Sequence, residues 1–165
     1  MDDLATAAVE AALSAGARYA DARAMETRAE EIAARNGVVE SLERSERAGI
    51  GVRALIGSSW GFFAVPEAST AAARRAGERA AEIARASTLV PGAPLELAPV
   101  PPQTGSWQSR CDEDPWSVTV DEKASLLEGV TRTMQEHGAT VGLASSRVWD
   151  TRKWLVTSEG THVDQ

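Results

Sequence analysis

Gly49, Gly51 and Ala54 fall at the spacing G-x-G-x-x-A, the permissive form of a dinucleotide fingerprint. That chemistry needs its glycines where a strand ends and a helix N-terminus meets a pyrophosphate. Residues 52 to 56 read as strand and no helix cap follows them, so glycines in a bent or bulged strand are expected instead. Arg53, inside the same run, could face a partner or a substrate. His137 and His162 are the only imidazoles, and neither sits in H-E-x-x-H or a comparable helical pair, so no zinc site is expected within the chain. His137 is placed in the last turn of a predicted helix, where its positive form would complement the helix dipole. Cys111 is followed by Asp112, Glu113 and Asp114, whose charges disfavour the thiolate a nucleophile requires. Those acids lack the glycine and distant glutamate of an EF-hand and read as a solvated loop. Glu30-Glu31 and the run from Glu43 to Arg47 read as solvent-facing strand charges, since paired carboxylates do acid–base work only where burial separates their pKa values. No residue is assigned a catalytic, cofactor-binding or metal-binding role.

Five tryptophans, Trp60, Trp107, Trp116, Trp149 and Trp154, stand beside two phenylalanines and one tyrosine. Packing in a core or an interface is the first use of such rings. Trp107 and Trp116 flank a proline-rich and acidic stretch, where they could serve either the core or a contact with another subunit. The chain has 165 residues, 43% hydrophobic and 25% charged, which suits one globular domain, or one domain with a short appended subdomain, around a hydrophobic core. A formal net charge of −7 opposes phosphate backbones and anionic lipid, so neither nucleic acid nor a membrane is an expected partner. The single cysteine forms no internal disulfide and fits a reducing compartment. The start, with Asp2 and Asp3 leading an alanine-rich segment, lacks the features of a signal peptide, and no stretch has transmembrane length; a cytoplasmic location is expected.

The elements that would position these residues follow from local signals. Leu4, Ala5, Ala8, Val9, Ala12 and Leu13 share a helical face, and Gly16 supplies a left-handed stop. Asn36-Gly37 is a hairpin signal between two long strands, Tyr19 to Arg35 and Val38 to about Ile56. Gly57-Ser58-Ser59 turns into a third strand, Trp60 to Val65. Ser69 or Thr70 can cap a helix whose Ala73, Ala76, Ala80, Ile83 and Ala84 form a stripe, Ile83 being its only large anchor. Prolines 91, 94, 99, 101 and 102 favour an extended connection. Thr119 and Glu122 are spaced as a capping box for a helix to about His137, with Val120, Ala124, Leu127, Val130 and Met134 as its apolar face. Strands are expected at Thr140 to Trp149 and Lys153 to Ser158, with turns at Asp150-Thr151 and Glu159-Gly160. The fold class is α+β, an antiparallel sheet with helices packed on one face. Residues 1–90 form helix, long-stranded sheet and helix; 91–118 form a Pro-rich and acidic connection; and 119–165 add a helix and a β-hairpin to the same domain. The end at Gln165 leaves a sheet edge unfinished, so truncation is expected.

The run from Gly16 through Tyr19-Ala20-Asp21-Ala22-Arg23, then Arg35-Asn36-Gly37, Gly49 to Leu55, and Trp60-Gly61-Phe62-Phe63-Ala64 resembles the amino-terminal domain of the TldD/PmbA family. Trp60-Gly61-Phe62, Asp112 to Pro115 and Glu122-Lys123 are similar to its TldD branch. The resemblance implies a cytoplasmic zinc metallopeptidase, also labelled modulator of DNA gyrase, that pairs a TldD-like with a PmbA-like subunit and cuts unfolded peptides. It implies further that zinc binds an H-E-x-x-x-H helix in a C-terminal domain, which is absent here, so this chain is expected to be inactive alone and to hold no cofactor. Its expected partners are a PmbA-like or self subunit and unfolded peptide, met through exposed strand edges. The competing expectation is a freestanding interaction protein that has lost the peptidase domain.

Overall fold

The structure, a computed structural model, describes residues 1–89, 92–93 and 95–165. Pro91 and Pro94 of the extended connection, and Val90 at the expected segment boundary, lie outside the described residues. In chain order the elements are α1 (Asp2–Ser14), β1 (Tyr19–Arg35), β2 (Val38–Ile56), β3 (Ser59–Val65), α2 (Thr70–Ser87), β4 (Thr104–Ser106), α3 (Val120–Glu136), β5 (Leu143–Thr157) and β6 (His162–Asp164). The six strands lie in the order β3-β2-β1-β5-β6-β4. The fold is α+β, with helices packed against the sheet. β2–β3 and β5–β6 are antiparallel, but β4 joins β6 in parallel, so the sheet is mixed. A parallel pair needs a long crossover, and the chain between β4 and β6 supplies one. β6 is not an edge strand: β5 and β4 flank it, and the edges are β3 and β4.

The chain divides into two compact units. Unit 1 is Met1–Glu26, Arg47–Gln108 and Thr151–Gln165. Its core joins α1 and α2 to the inward residues of the strands, among them Ala20, Ala22 and Ala24 of β1 and Ile50, Val52 and Ala54 of β2. Alanine dominates because the layers touch at backbone distance. A Cβ placed on Gly77 of α2 would lie 2.1 Å from the Ala8 carbonyl oxygen of α1, and one on Gly61 of β3 would lie 2.0 Å from the Ala80 oxygen of α2. Ile83 is only half-buried, and Gly77 joins the buried stripe that Ile83 was expected to anchor. Ser69 caps α2, its Oγ accepting from Ala72 N–H at 3.2 Å.

Unit 2 is Thr27–Glu46 and Ser109–Asp150. Asn36 (φ 51°) and Gly37 (φ 82°) form the tight left-handed turn between β1 and β2. The Thr119–Glu122 capping box starts α3 as expected. Its buried face is Lys123, Leu127 and Thr131, rotated from the expected stripe, and Val130 and Met134 face solvent. The reason is polar: Thr131 Oγ1 accepts from Gly37 N–H at 2.9 Å, and Lys123 reaches a buried carboxylate described below. β5 runs unbroken through Asp150-Thr151, where a turn was expected; the Asp150 carboxylate is held from the strand by Arg28 Nε at 3.2 Å.

Candidate functional site

Strand alternation decides what unit 1 leaves uncovered. With Ala20, Ala22 and Ala24 turned to the helices, Tyr19, Asp21 and Arg23 point the other way. In β2 the inward Ile50, Val52 and Ala54 leave Gly51, Arg53 and Leu55 on that same outer face, where Leu55 is nonetheless fully buried. The β2–β3 ladder sets Gly51 opposite Ala64, Arg53 opposite Phe62 and Leu55 opposite Trp60, and residues directly opposite share a face. This ladder runs from Ile50 to Ile56 without a slip, so Gly51 is not bulged against β3, while Gly49 lies just before the ladder. Gly51 instead lies under an aromatic ring: a Cβ there would sit 3.3 Å from the Phe62 edge.

At the centre of this face the Asp21 carboxylate is 1% exposed. Arg23 Nη1 donates to its Oδ1 at 2.8 Å, and Arg53 Nη2 donates to Oδ2 at 2.7 Å with Nε 3.0 Å from the same oxygen. Both guanidiniums are about half-exposed. A buried carboxylate without such partners would be costly, so the arginines are what permit Asp21 in a strand. Hydrogen bonds to Asp21 raise the Arg53 pKa further above its ordinary value. The Arg53 guanidinium stands 5.3 Å from the Trp60 ring centre, and Tyr19 meets Trp60 edge-on, 5.7 Å between centroids. Burial, then the neighbouring Asp21 charge, raises the Tyr19 phenol. Phe62 is 59% exposed. The result is a rigid cationic pair, locked from below by one carboxylate and bordered by open aromatic rings.

Unit 2 carries a second charge cluster. Glu30, expected to face solvent, is 1% exposed. Lys123 Nζ donates to it at 2.7 Å, and Arg44 donates through Nε at 2.8 Å and Nη2 at 2.6 Å. The Lys123 hydrogen bond, with Arg44 adding to it, holds the Glu30 carboxyl below the usual glutamate range. Trp116 stacks beneath Arg28, 4.3 Å from the ring centre, with Lys123 at 5.8 Å. Lys123 and Arg44 are both turned onto the Glu30 carboxylate, so the cluster clamps α3 to β1. Glu31 does face outward, paired with Arg147 at 2.5 Å.

The remaining sequence candidates stay apart. His137 is the C-cap of α3, its Nδ1 2.8 Å from the Thr133 carbonyl oxygen. His162 lies on β6, 3.4 Å from the Asp2 carboxylate. Cys111 is exposed, its Sγ 3.0 Å from the Glu113 carbonyl oxygen. Trp107 and Trp149 are exposed, and Trp154 packs on the core of unit 1. Among the described residues no group of three His, Cys, Asp or Glu side chains is placed to hold a metal ion, and no helix is long and apolar enough to cross a membrane. Sequence reasoning missed the Asp21–Arg53 and Glu30–Lys123 pairs. A usable signal was present in Tyr19 to Ala24, where alanine alternates with charge and so places Asp21 and Arg23 together on the face opposite the core.

Comparison with curated protein sequences gives no match. Among solved structures the fold is shared with TldE from Thermococcus kodakarensis, at 15% identity and a TM-score of 0.71 over 95% of this chain and 35% of that one. It is shared equally with a candidate modulator of DNA gyrase from Bacteroides thetaiotaomicron, at 14% identity and TM-score 0.75 over 99% of this chain and 38% of the other. A protein of the same description from Thermotoga maritima matches at 13% identity and TM-score 0.69, covering 99% and 36%. The chain thus spans little more than a third of the length of these structures. Residues 20–84, which include Asp21, Arg53, Trp60 and Phe62, match the family described as PmbA/TldA metallopeptidase domain 1, and over the rest of the chain the likeness to these structures is one of fold.

Proposed function

We propose that this chain is the non-catalytic amino-terminal domain of a TldD-like zinc metallopeptidase acting on unfolded peptides, where it supplies subunit contacts and part of the substrate channel. The observation that carries this reading is the family match over residues 20–84, which contain both strands of the long hairpin and the uncovered face. The hydrolytic chemistry belongs elsewhere. A zinc peptidase needs two imidazoles on one helix face to hold the metal and a carboxylate to activate its water. His137 closes α3 and His162 lies on β6, so the residues present do not fit that group.

The test compares the 165-residue chain with the full reading frame of its gene. The chain alone is expected to hold no stoichiometric zinc by elemental analysis and to leave unfolded casein intact, yet to co-elute with a PmbA-like subunit. The full reading frame is expected to encode H-E-x-x-x-H beyond Gln165 and to cleave casein in a zinc-dependent way. One tightly held zinc in the chain alone would overturn the assignment. A reading frame without the motif would replace it with the freestanding interaction protein.

A further inference from the structure

We propose that the uncovered sheet face of unit 1 binds acidic stretches of extended polypeptide, carboxylates going to Arg23 and Arg53 and apolar side chains to Trp60 and Phe62. The proposal rests on the peptide-handling reading above and adds a substrate class to it.

Charge is segregated on this face. The whole chain carries a formal charge of −7. On this one face, alternation places Arg23, Arg53 and Lys153, the last because its neighbours Trp154 and Val156 turn to the core. The only carboxylate that alternation places on the same strand segments is Asp21, which is buried and already shared by two arginines. Glu159, in the turn after β5, adds one negative charge near Tyr19, and positive charge still predominates beside Trp60 and Phe62, so the complementary partner is acidic.

The cations are also pre-organised. A guanidinium has five N–H donors. Arg53 commits Nε and one donor of Nη2 to Asp21, and Arg23 commits Nη1, so each retains N–H groups for an incoming carboxylate. Asp21 and the Trp60 ring fix the Arg53 plane, so little side-chain freedom is lost when an anion arrives. β1, β2 and β3 are consecutive in the sheet, so two strand spacings, about 10 Å, separate β1 from β3, near three residues of extended chain. An acidic residue followed three positions later by an aromatic or aliphatic one fits that step. Single-stranded nucleic acid, which could also offer anions and rings, is the poorer fit. Its affinity grows with the number of phosphates neutralised, and beyond three cations it meets an acidic protein.

The experiment measures fluorescence anisotropy of labelled twelve-residue unstructured peptides with the full 165-residue chain at low and moderate salt. One probe combines Asp and Glu with Phe and Leu; a second replaces every Asp and Glu by Asn and Gln; a third is oligothymidine. The acidic peptide is expected to bind about tenfold more tightly than its neutral counterpart, as charge-assisted hydrogen bonds require. Arg23→Gln and the solvent-side Phe62→Ser are each expected to weaken it several-fold without altering the circular dichroism spectrum, and added salt is expected to weaken it further. Equal binding of the acidic and neutral peptides overturns the charge assignment while leaving peptide handling intact. Tighter binding of oligothymidine overturns the polypeptide assignment. Absence of peptide binding, with self-association that Phe62→Ser abolishes, overturns it in favour of a second copy of the chain. The zinc and subunit assays above decide the broader reading separately.

Discussion

Gly77→Ala sets two well-measured effects of opposite sign against each other. In an isolated helix the change stabilises by about 1 kcal/mol, because alanine loses less backbone freedom than glycine. In α2 the new Cβ would stand 2.1 Å from Ala8 O, 2.9 Å from Ala12 N and 3.1 Å from Ala11 Cβ. Two of these are backbone atoms of α1 and have no rotamer to change. Relief requires the helices to part by roughly 1.5 Å, since carbon contacts are optimal at 3.5–4.0 Å. That movement loosens the alanine contacts along the whole seam, so the upper part of the usual overpacking cost of about 1–3 kcal/mol applies. The net is a loss of about 2 kcal/mol, or a fall in melting temperature of roughly 4–8 °C for a chain of this size. Gly129→Ala is the control, because nothing lies within 4 Å of its would-be Cβ in α3 and only the helix-propensity gain remains. Thermal denaturation followed by circular dichroism should move the two variants in opposite directions. If Gly77→Ala raises the melting temperature as Gly129→Ala does, α1 and α2 are not in backbone contact and the account of the core is wrong.

Other expectations follow from the charge clusters and caps. Glu30 has a folded pKa below its ordinary value, so its contribution is present above the usual glutamate range and is lost as pH falls from about 4.3 through the lower folded value; urea midpoints measured against pH should show this loss, and Glu30→Gln should flatten it. Tyr19 is the only tyrosine, so absorbance at 295 nm reports it alone, and its midpoint should lie above about 10. Asp21→Asn should bring that midpoint only part of the way down, because burial is the larger cause. Thr119→Ala removes the capping box of α3 and should cost about 1 kcal/mol in chemical denaturation. Gly51→Val presses on the exposed Phe62 ring, which can swing aside, and meets Ala64 Cβ only at 3.9 Å, so its melting temperature should fall by less than about 4 °C.

What the sequence made legible was local. Gly16, Asn36-Gly37, Ser69 and the Thr119–Glu122 box each act through neighbours a few residues away, and each stands where its chemistry placed it. The errors lie where a distant partner reverses a local preference. Lys123 and Thr131 face inward because Glu30 and Gly37, 93 and 94 residues away, receive them. Val130 and Met134 then rotate outward although the helical period alone favours burying them. Asp150-Thr151 resembles a turn only until Arg28, 122 residues earlier, satisfies the aspartate within a strand. The functional face was half legible. The strand expected around Gly49 and Gly51 is present as β2, while the Asp21–Arg53 pair needed the alternation of two strands to be read jointly.

The alanine seam between α1 and α2 has a consequence for how this domain can change over evolutionary time. Alanine has no side-chain rotamers, so burying Ala5, Ala8, Ala12, Ala73, Ala76 and Ala80 forfeits no side-chain entropy on folding. The same simplicity leaves the seam no means of repacking around a newcomer. A leucine-built interior can drift by exchanging volume between neighbours, one side chain shrinking as another grows. Here nothing can shrink except to glycine, and growth meets backbone at both Gly61 and Gly77. Substitution at these positions should be almost one-directional, with serine and glycine the only mild replacements, and diversity within unit 1 should collect on the opposite face of the sheet, where side chains have room to vary.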